Sequence, residues 1–193
     1  MKETFADHTN FDRIDFKTSP LNKGEYENCE FIDCDFSNTG FFETKFIDCN
    51  FTGCNLSLVK LNKTVFRDVK FKDCKMLGLH FDDCSEFGLS FQFENCSLNH
   101  SVFYGVKIKK TNFINCRLHE TDFTECNLAG STFHNCDLSG ANFENTILEM
   151  ADFRTSFNYS IDPSTNRVKR ARFSISEVAG LLDKYDIEID KEA

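Results

Sequence analysis

Large apolar residues recur every five positions along most of this 193-residue chain. One series occupies positions 11 to 91, and a second series, displaced by two residues, occupies positions 93 to 153 and still includes Val168 and Phe173. Glu86 is the one failure in the first series. A five-residue period fits neither the 3.6-residue period of a helix nor the two-residue period of a strand. The pattern therefore predicts a repeat architecture in which the chain coils on itself.

A small residue stands two positions before each large one, and all ten cysteines occupy this small position. One small and one large inward side chain from each five-residue unit would fill an interior at native density. The other three positions would then face water. We therefore expect the cysteines to act as small apolar core residues.

A twenty-residue period is nested in the five-residue one, because phenylalanines recur at this spacing. Four units then make one turn, and equivalent residues of successive turns stack about 4.8 Å apart, as neighbouring strands do. In the phenylalanine series we expect Phe91 to follow Phe71 before the two-residue displacement to Phe93. The predicted core ladders are Phe31, Phe51, Phe71, Phe113, Phe133 and Phe153 on one wall, and Cys34, Cys54, Cys74, Cys96, Cys116 and Cys136 on the next.

Composition limits the possible environments and partners. The formal charge of −9 argues against ordinary nucleic-acid binding, which relies on Lys and Arg to neutralise phosphates. The chain has no apolar run of membrane-spanning length and no apolar segment typical of an export signal near its start. We therefore expect a cytoplasmic protein with reduced cysteines, no membrane contact and no direct binding to nucleic acid.

The sequence offers no arrangement typical of an enzyme. The five histidines stand at or near outward positions, and only His100 and His119 are expected on adjacent coils. Two histidines without a third ligand or an orienting carboxylate make neither a metal site nor a catalytic site. Thiols in an apolar core are poor nucleophiles because burial raises the thiol pKa. We expect no catalytic residue, no metal and no cofactor.

The repeat unit resembles that of the pentapeptide-repeat family. Its pattern is a small residue, a polar one, Leu or Phe, and two polar residues, as in Ala141-Asn142-Phe143-Glu144-Asn145 and Ala151-Asp152-Phe153-Arg154-Thr155. The resemblance implies an all-β fold, a right-handed quadrilateral β-helix of about eight coils. We assign residues 1–173 to this solenoid.

The last twenty residues, 174–193, differ from the repeats and indicate a capping or dimerisation segment. Ser174 and Glu177 have the spacing of a helix capping box, and Phe173 and Val178 that of a hydrophobic staple. We expect a short helix here, followed by a strand-like alternation at Ile187 and Ile189. The apolar residues assigned to the cap or dimer contact are Phe173, Ile175, Val178, Leu181, Leu182, Tyr185, Ile187 and Ile189.

The C-terminal arrangement, a loop at Asp162-Pro163, then Lys169 to Phe173 and then a Leu-rich terminal helix, resembles that of the quinolone-resistance (Qnr) and microcin-immunity branch of the family. The resemblance implies a homodimer joined through its C-terminal elements into an acidic rod with the shape and charge of B-form DNA. It also implies binding to DNA gyrase and topoisomerase IV, which protects the enzyme from quinolones or a peptide toxin. Two features depart from the branch: the chain lacks long projecting loops, and Lys107, Lys109 and Lys110 form a basic spot.

Seven acidic residues against two arginines between Arg117 and Arg154 mark a candidate partner surface. The alternative is that they are only solvated outward positions. Phe87, next to the displacement, is either extruded as an apolar tip or kept inside, and Tyr104 is either a contact or an ordinary surface aromatic. The alternative function is a structural scaffold with another protein partner. The candidate contact residues are Glu120, Asp122, Glu125, Asp137, Glu144, Glu149, Asp152, Phe87 and Tyr104.

Overall fold

The computed structural model describes residues 4–190, which form a parallel β-solenoid with four walls and about seven turns. We number the walls in chain order, so that wall 1 carries Phe31, wall 2 Phe36, wall 3 Phe41 and wall 4 Phe46. The predicted fold is confirmed, although the number of turns is slightly lower than the eight expected. Ladder pairing becomes sparse near the C-terminal end, where Asp152 and Arg172 form one of the last isolated bridges.

Two parallel sheets cover adjacent walls. Wall 4 has a four-stranded sheet in the N-terminal half, and wall 1 has a seven-stranded sheet along most of the rod. On walls 2 and 3, successive turns are paired through isolated parallel bridges, such as Asp15–Asp35 on wall 2 and Val102–Asp122 on wall 3. The wall 4 strands are β1 (Thr4–Asp7), β3 (Gly24–Glu27), β5 (Lys45–Ile47) and β7 (Val65–Arg67). The wall 1 strands are β2 (Asn10–Asp12), β4 (Glu30–Ile32), β6 (Asn50–Thr52), β8 (Val69–Lys72), β9 (Phe91–Glu94), β10 (Asn112–Ile114) and β11 (Thr132–His134).

Stacked phenylalanines form the centre of the core, as predicted. The rings of Phe113 and Phe133 lie 4.8 Å apart and nearly parallel, with an interplanar angle of 5°. Rings on different walls meet edge to face instead, as Phe113 and Phe123 do at 83°. Offset stacking and edge-to-face contacts are both favourable arrangements for aromatic pairs. The repeated use of Phe thus provides one ring shape that packs along the rod and across it.

The ten cysteines are buried and free, in the small inward positions predicted for them. Along wall 2 the thiols lie near backbone carbonyls of the preceding turn, as in the 3.3 Å contact between Cys54 Sγ and the Phe31 oxygen. Burial raises the pKa of the Cys49 thiol to about 12. The cysteines therefore act as small core residues with weak hydrogen bonds to the neighbouring turn.

The two-residue displacement forms a bulge on wall 4. Phe71 pairs with Phe93, whereas Phe91 pairs with Val69 and so occupies a small position. The expectation that Phe91 follows Phe71 in the ladder is therefore wrong. Phe91 fills the volume that wall 4 leaves open at this level, and its ring centroid lies 5.2 Å from that of Phe81. The large inward side chain missing from the bulge is thus replaced from the adjacent wall.

The C-terminal segment contains two 3₁₀ turns, Val178–Leu181 and Asp183–Tyr185, in place of the predicted helix. Neither turn has a side-chain cap, and the Ser174 hydroxyl is paired with Ser176, so the capping box does not form. The residues from Asp186 to Asp190 have no strand structure. The prediction of a short helix followed by a strand is wrong. Contacts with the end of the solenoid determine the conformation of this segment, and no regular helix or strand forms within it.

This segment nevertheless covers part of the solenoid end. Phe173 stacks on Phe153 with a centroid distance of 5.4 Å. The Ile161 amide donates to the Gly180 carbonyl at 2.9 Å. A Cβ atom on Gly180 would come within 2.0 Å of the Tyr159 carbonyl oxygen, so this close approach requires glycine. In the described part of the chain, no helix is long and apolar enough to cross a membrane.

Left-handed backbone recurs two residues after most of the large inward residues. Asn, Asp and Gly occupy many of these corners, as at Asp33, Gly53 and Asn115, and they adopt this conformation at low cost. Asparagine side chains also link successive corners, since Asn115 Nδ2 donates to Asn95 Oδ1 at 2.9 Å. The polar positions of the repeat therefore turn the chain as well as face water.

Replacing Phe113 by Ala should lower the free energy of unfolding by about 3–5 kcal/mol, because the cavity would lie in a closely stacked column. Chemical denaturation monitored by circular dichroism measures this change. Asn112→Ala, on the outward side of the same strand, is the matched control and should change stability little. Equal stability of the Phe113 variant and the wild type would contradict the inward assignment.

Replacing Leu58 by Asn should increase the free energy of unfolding by roughly 1 kcal/mol, since Asn adopts left-handed backbone more readily than Leu. Leu58 has a φ of 60° and its side chain is 51% exposed, so little packing is lost. Phe42→Asn is the control: Phe42 is similarly exposed but its φ is not positive, and this variant should show no gain. A lower midpoint of thermal unfolding for the Leu58 variant would argue against backbone strain at this corner.

Candidate partner-binding surface

The seven acidic residues chosen from the sequence lie on different walls. Asp152 lies on wall 1, Asp137 on wall 2 and Asp122 on wall 3. Glu120 lies at the edge between walls 2 and 3, and Glu149 at the edge between walls 4 and 1. Glu125 and Glu144 lie at the edge between walls 3 and 4, where the Glu125 amide donates to the Glu144 carbonyl. The structure thus does not place all seven on one flank.

Two of the acidic residues away from wall 3 are paired with arginines. Arg167 lies 2.8 Å from Glu149, and Arg154 lies 2.7 Å from Asp152. The hydrogen bond from Arg154 is the main cause that lowers the pKa of Asp152. The charge of both carboxylates is balanced locally by the arginines, so they contribute little to a long-range acidic field.

Asp137 is also hydrogen-bonded by its neighbours. Its Oδ2 atom lies 2.8 Å from His119 Nε2. Burial acts to raise the pKa of Asp137, but hydrogen bonds from Ser139, Asn158 and His119 outweigh this effect and lower it to about 2. Asp137 is therefore engaged in local structure on wall 2 and is a weak candidate for a partner contact.

The other four acidic residues gather on and beside wall 3, together with two that the sequence analysis did not select. Asp82 and Asp83 belong to the 3₁₀ turn Phe81–Asp83 and are exposed one turn before Tyr104. We call this set the acidic strip: Asp82, Asp83, Glu120, Asp122, Glu125 and Glu144. Within residues 4–190, none of these carboxylates forms an ion pair with a lysine or an arginine. His80 and His100 approach Asp82 and Glu120 at 3.3 Å.

Tyr104 belongs to this surface. Its side chain is 47% exposed, on wall 3 one turn before Thr124. A hydrogen bond to Glu125 raises the pKa of the Tyr104 hydroxyl. The acidic strip thus surrounds an aromatic side chain held by one of its carboxylates. Tyrosine combines a large apolar ring with a polar end, which is why it is common in protein interfaces.

Phe87 is fully extruded at the bulge, with 86% of its surface exposed. Glu86 and Gly88 beside it are also exposed. The extruded alternative is therefore the observed one. The bulge projects from wall 4, so the structure does not place Phe87 within the acidic strip on wall 3.

The cavity between the bulge and wall 3 is small. It has a volume of about 50 Å³ and is lined by residues that include Cys84, Leu89, Tyr104 and Lys107. Ligand pockets usually have volumes of hundreds of Å³, so this cavity does not have the size of a substrate site. In the described part of the chain, no group of three or more His, Cys, Asp or Glu residues could hold a metal ion.

Comparisons with known proteins agree with the solenoid fold. The family described as the pentapeptide repeat region matches residues 24–92 and 89–158. The chain belongs to the pentapeptide-repeat family. A search of curated proteins gave no significant match.

Solved structures of pentapeptide-repeat proteins include similar folds. A trypsin-treated variant of QnrB1, a plasmid-mediated fluoroquinolone resistance protein, superposes with a TM-score of 0.75 at 16% identity, over 97% of this chain and 92% of that one. A second trypsin-treated QnrB1 variant gives 0.60 at 17% identity, over 97% and 98% of the two chains. At this identity the likeness shows a shared fold along nearly the whole chain.

Proposed function

We propose that this pentapeptide-repeat protein engages a type II topoisomerase, DNA gyrase or topoisomerase IV, and protects it from quinolones or a peptide toxin. The observation that carries the proposal is the acidic strip, a group of carboxylates on and beside wall 3 that form no ion pair with any lysine or arginine of residues 4–190. The resemblance of fold to QnrB1 supports the choice of partner class.

The acidic strip has the features of a surface that replaces DNA in a basic groove. Its carboxylates extend over four successive turns of a stiff rod, from Asp82 to Glu144, and the turns are about 4.8 Å apart. Glu149 and Asp152, which lie on other walls, are paired with arginines, whereas the carboxylates of the strip keep their negative charge uncompensated on and beside wall 3. Complementary charge of this kind increases the association rate and makes binding sensitive to salt.

The C-terminal segment is the proposed dimer contact. Several of its apolar side chains are exposed, among them Ile175 at 94% and Tyr185 at 59%. Contiguous exposed apolar groups on a soluble protein commonly mark an interface. A two-fold axis at this end would join two solenoids and extend the acidic strip of one into that of the other. The remaining exposed apolar residues of the segment are Val178, Leu182, Ile187 and Ile189.

Neutralising the acidic strip should weaken topoisomerase engagement. In a gyrase supercoiling assay titrated with protein, we expect the wild type to restore supercoiling in the presence of ciprofloxacin, or to inhibit at higher concentration in a salt-sensitive way. The quadruple variant Glu120→Gln, Asp122→Asn, Glu125→Gln and Glu144→Gln should require roughly tenfold more protein, equivalent to a loss of about 1.4 kcal/mol.

A second quadruple variant controls for the change in net charge. Glu30→Gln, Asp33→Asn, Asp48→Asn and Asp73→Asn remove four exposed acids from walls and edges other than wall 3, so this variant should act like the wild type. If both variants lose activity equally, the loss depends on net charge and not on the position of the acidic strip, and the proposed contact surface is wrong. If the wild type has no effect with or without drug at any salt concentration, a scaffold function with another protein partner is favoured.

Charged substitutions in the C-terminal segment should prevent dimerisation. Sedimentation velocity across the micromolar range should show a dimer for the wild type and a monomer for Val178→Asp combined with Ile187→Asp. Phe42→Asp, which alters an equally exposed apolar residue on the body of the solenoid, should remain dimeric. A wild type that is monomeric throughout this range would contradict the proposed contact.

A further inference from the structure

Wall 4 carries a cationic surface that contrasts with the net acidity of the protein. Lys107, Lys109 and Lys110 are exposed around the inward residue Ile108, and Arg67 is exposed on the same wall two turns earlier. We call these four residues the basic strip. In the part of the chain that the structure describes, none of the four forms an ion pair with a carboxylate. Their charge is therefore available to an external anion.

The bulge with Phe87 lies between the two ends of the basic strip. The position of a Cβ on Gly88 would be 3.4 Å from Arg67 Nε, so the guanidinium lies against the bulge. Lys107 lines the small cavity on the other side, together with Glu86 and Leu89. Phe87, 86% exposed, thus projects between Arg67 on one side and the three lysines on the other, next to the exposed Glu86.

We propose that the basic strip and Phe87 bind a single-stranded segment of DNA, with the cations on phosphates and the Phe87 ring stacked on an unpaired base. A cationic track with a projecting aromatic ring is the arrangement that binds single strands with little sequence preference. The inference rests on the proposed function for the identity of the polymer, because a topoisomerase brings DNA to this protein. It places protein contact on wall 3 and DNA contact on adjacent wall 4.

The surroundings of the basic strip favour a narrow polyanion over a membrane. Asp48 and Asp68 lie along the edge between walls 4 and 1, and Asp83 and Glu125 lie along the edge between walls 3 and 4. A flat anionic bilayer would meet these acidic edges together with the cations and be repelled by them. One nucleic-acid strand can run along wall 4 from Arg67 to Lys110, which lies at the edge between walls 4 and 1 two turns beyond Asp68, without passing over either aspartate. The net charge of −9 excludes binding over the whole surface but not on this strip.

The test measures binding of the complete purified protein to a fluorescent 20-nucleotide single strand, by anisotropy over a series of salt concentrations and without any topoisomerase. The triple variant Lys107→Glu, Lys109→Glu and Lys110→Glu should bind much more weakly. The negative slope of the logarithm of the association constant against the logarithm of the salt concentration should become shallower by about 2, since each phosphate contact contributes roughly 0.7. Phe87→Ala should keep the slope but weaken binding by roughly five- to a hundredfold, because one stacked base is lost.

The matched control is Lys60→Glu, Lys70→Glu and Lys75→Glu, which makes the same charge change on walls 3, 1 and 2. It should retain most of the salt slope, and thermal unfolding should show that all variants are folded. Failure of the wild type to bind the single strand at low salt would overturn the inference, as would equal losses in the control. Lysine-dependent binding to vesicles containing phosphatidylserine, without binding to DNA, would also overturn it.

This assay and the supercoiling assay can fail separately. The first contains no enzyme, and the second uses variants of the acidic strip on wall 3. Loss of DNA binding in the lysine variant with intact binding to DNA-free gyrase would support separate roles for the two walls. Absence of any gyrase effect together with lysine-dependent DNA binding would reject the topoisomerase proposal but support the DNA contact.

Discussion

The parallel register between successive turns is the constraint on which the rest of the structure depends. Each turn of twenty residues forms backbone hydrogen bonds with the next, and the same register places ring on ring, as with Phe113 and Phe133. Hydrogen bonding and packing therefore require the same spacing. An insertion of one residue would reverse the inward and outward sides of a strand. The two-residue displacement at the bulge preserves this alternation, which explains why wall 1 continues through it without interruption.

The bulge shows how the solenoid tolerates a local failure of the repeat. Glu86 and Gly88 leave wall 4 without a large inward residue at this level, and Phe91 enters the core from a small position. A bulge often redirects a side chain outward while the surrounding ladder is retained. Here the redirected side chain is Phe87. The same exchange thus keeps the core filled and produces the most conspicuous aromatic projection on the surface.

Much of the fold could be predicted from the sequence because every repeat obeys the same local rule. The five-residue period identified the core Phe and Cys residues, and the twenty-residue period identified the walls. Prediction failed where the rule ends. The segment from Ser174 onward carries helix-like signals, but its conformation is determined by contacts with the solenoid end, such as Ile161 with Gly180. The slot taken by Phe91 likewise depends on the volume left by its neighbours, which no single residue specifies.

The candidate surface was predicted only in part because charge was counted along the chain. A contiguous stretch passes through all four walls, so it mixed the paired Glu149 and Asp152 with the unpaired Asp122 and Glu144. Sorting residues by wall brings in Asp82, which lies one turn below Tyr104 and is distant from the stretch in sequence. The same sorting separates Lys107 from Asp122, although their positions are only fifteen apart in the sequence, because they belong to adjacent walls. In a four-walled solenoid, residues that share one surface are therefore about twenty positions apart in the sequence. One protein of net negative charge can in this way present an acidic wall and a basic wall along the same turns.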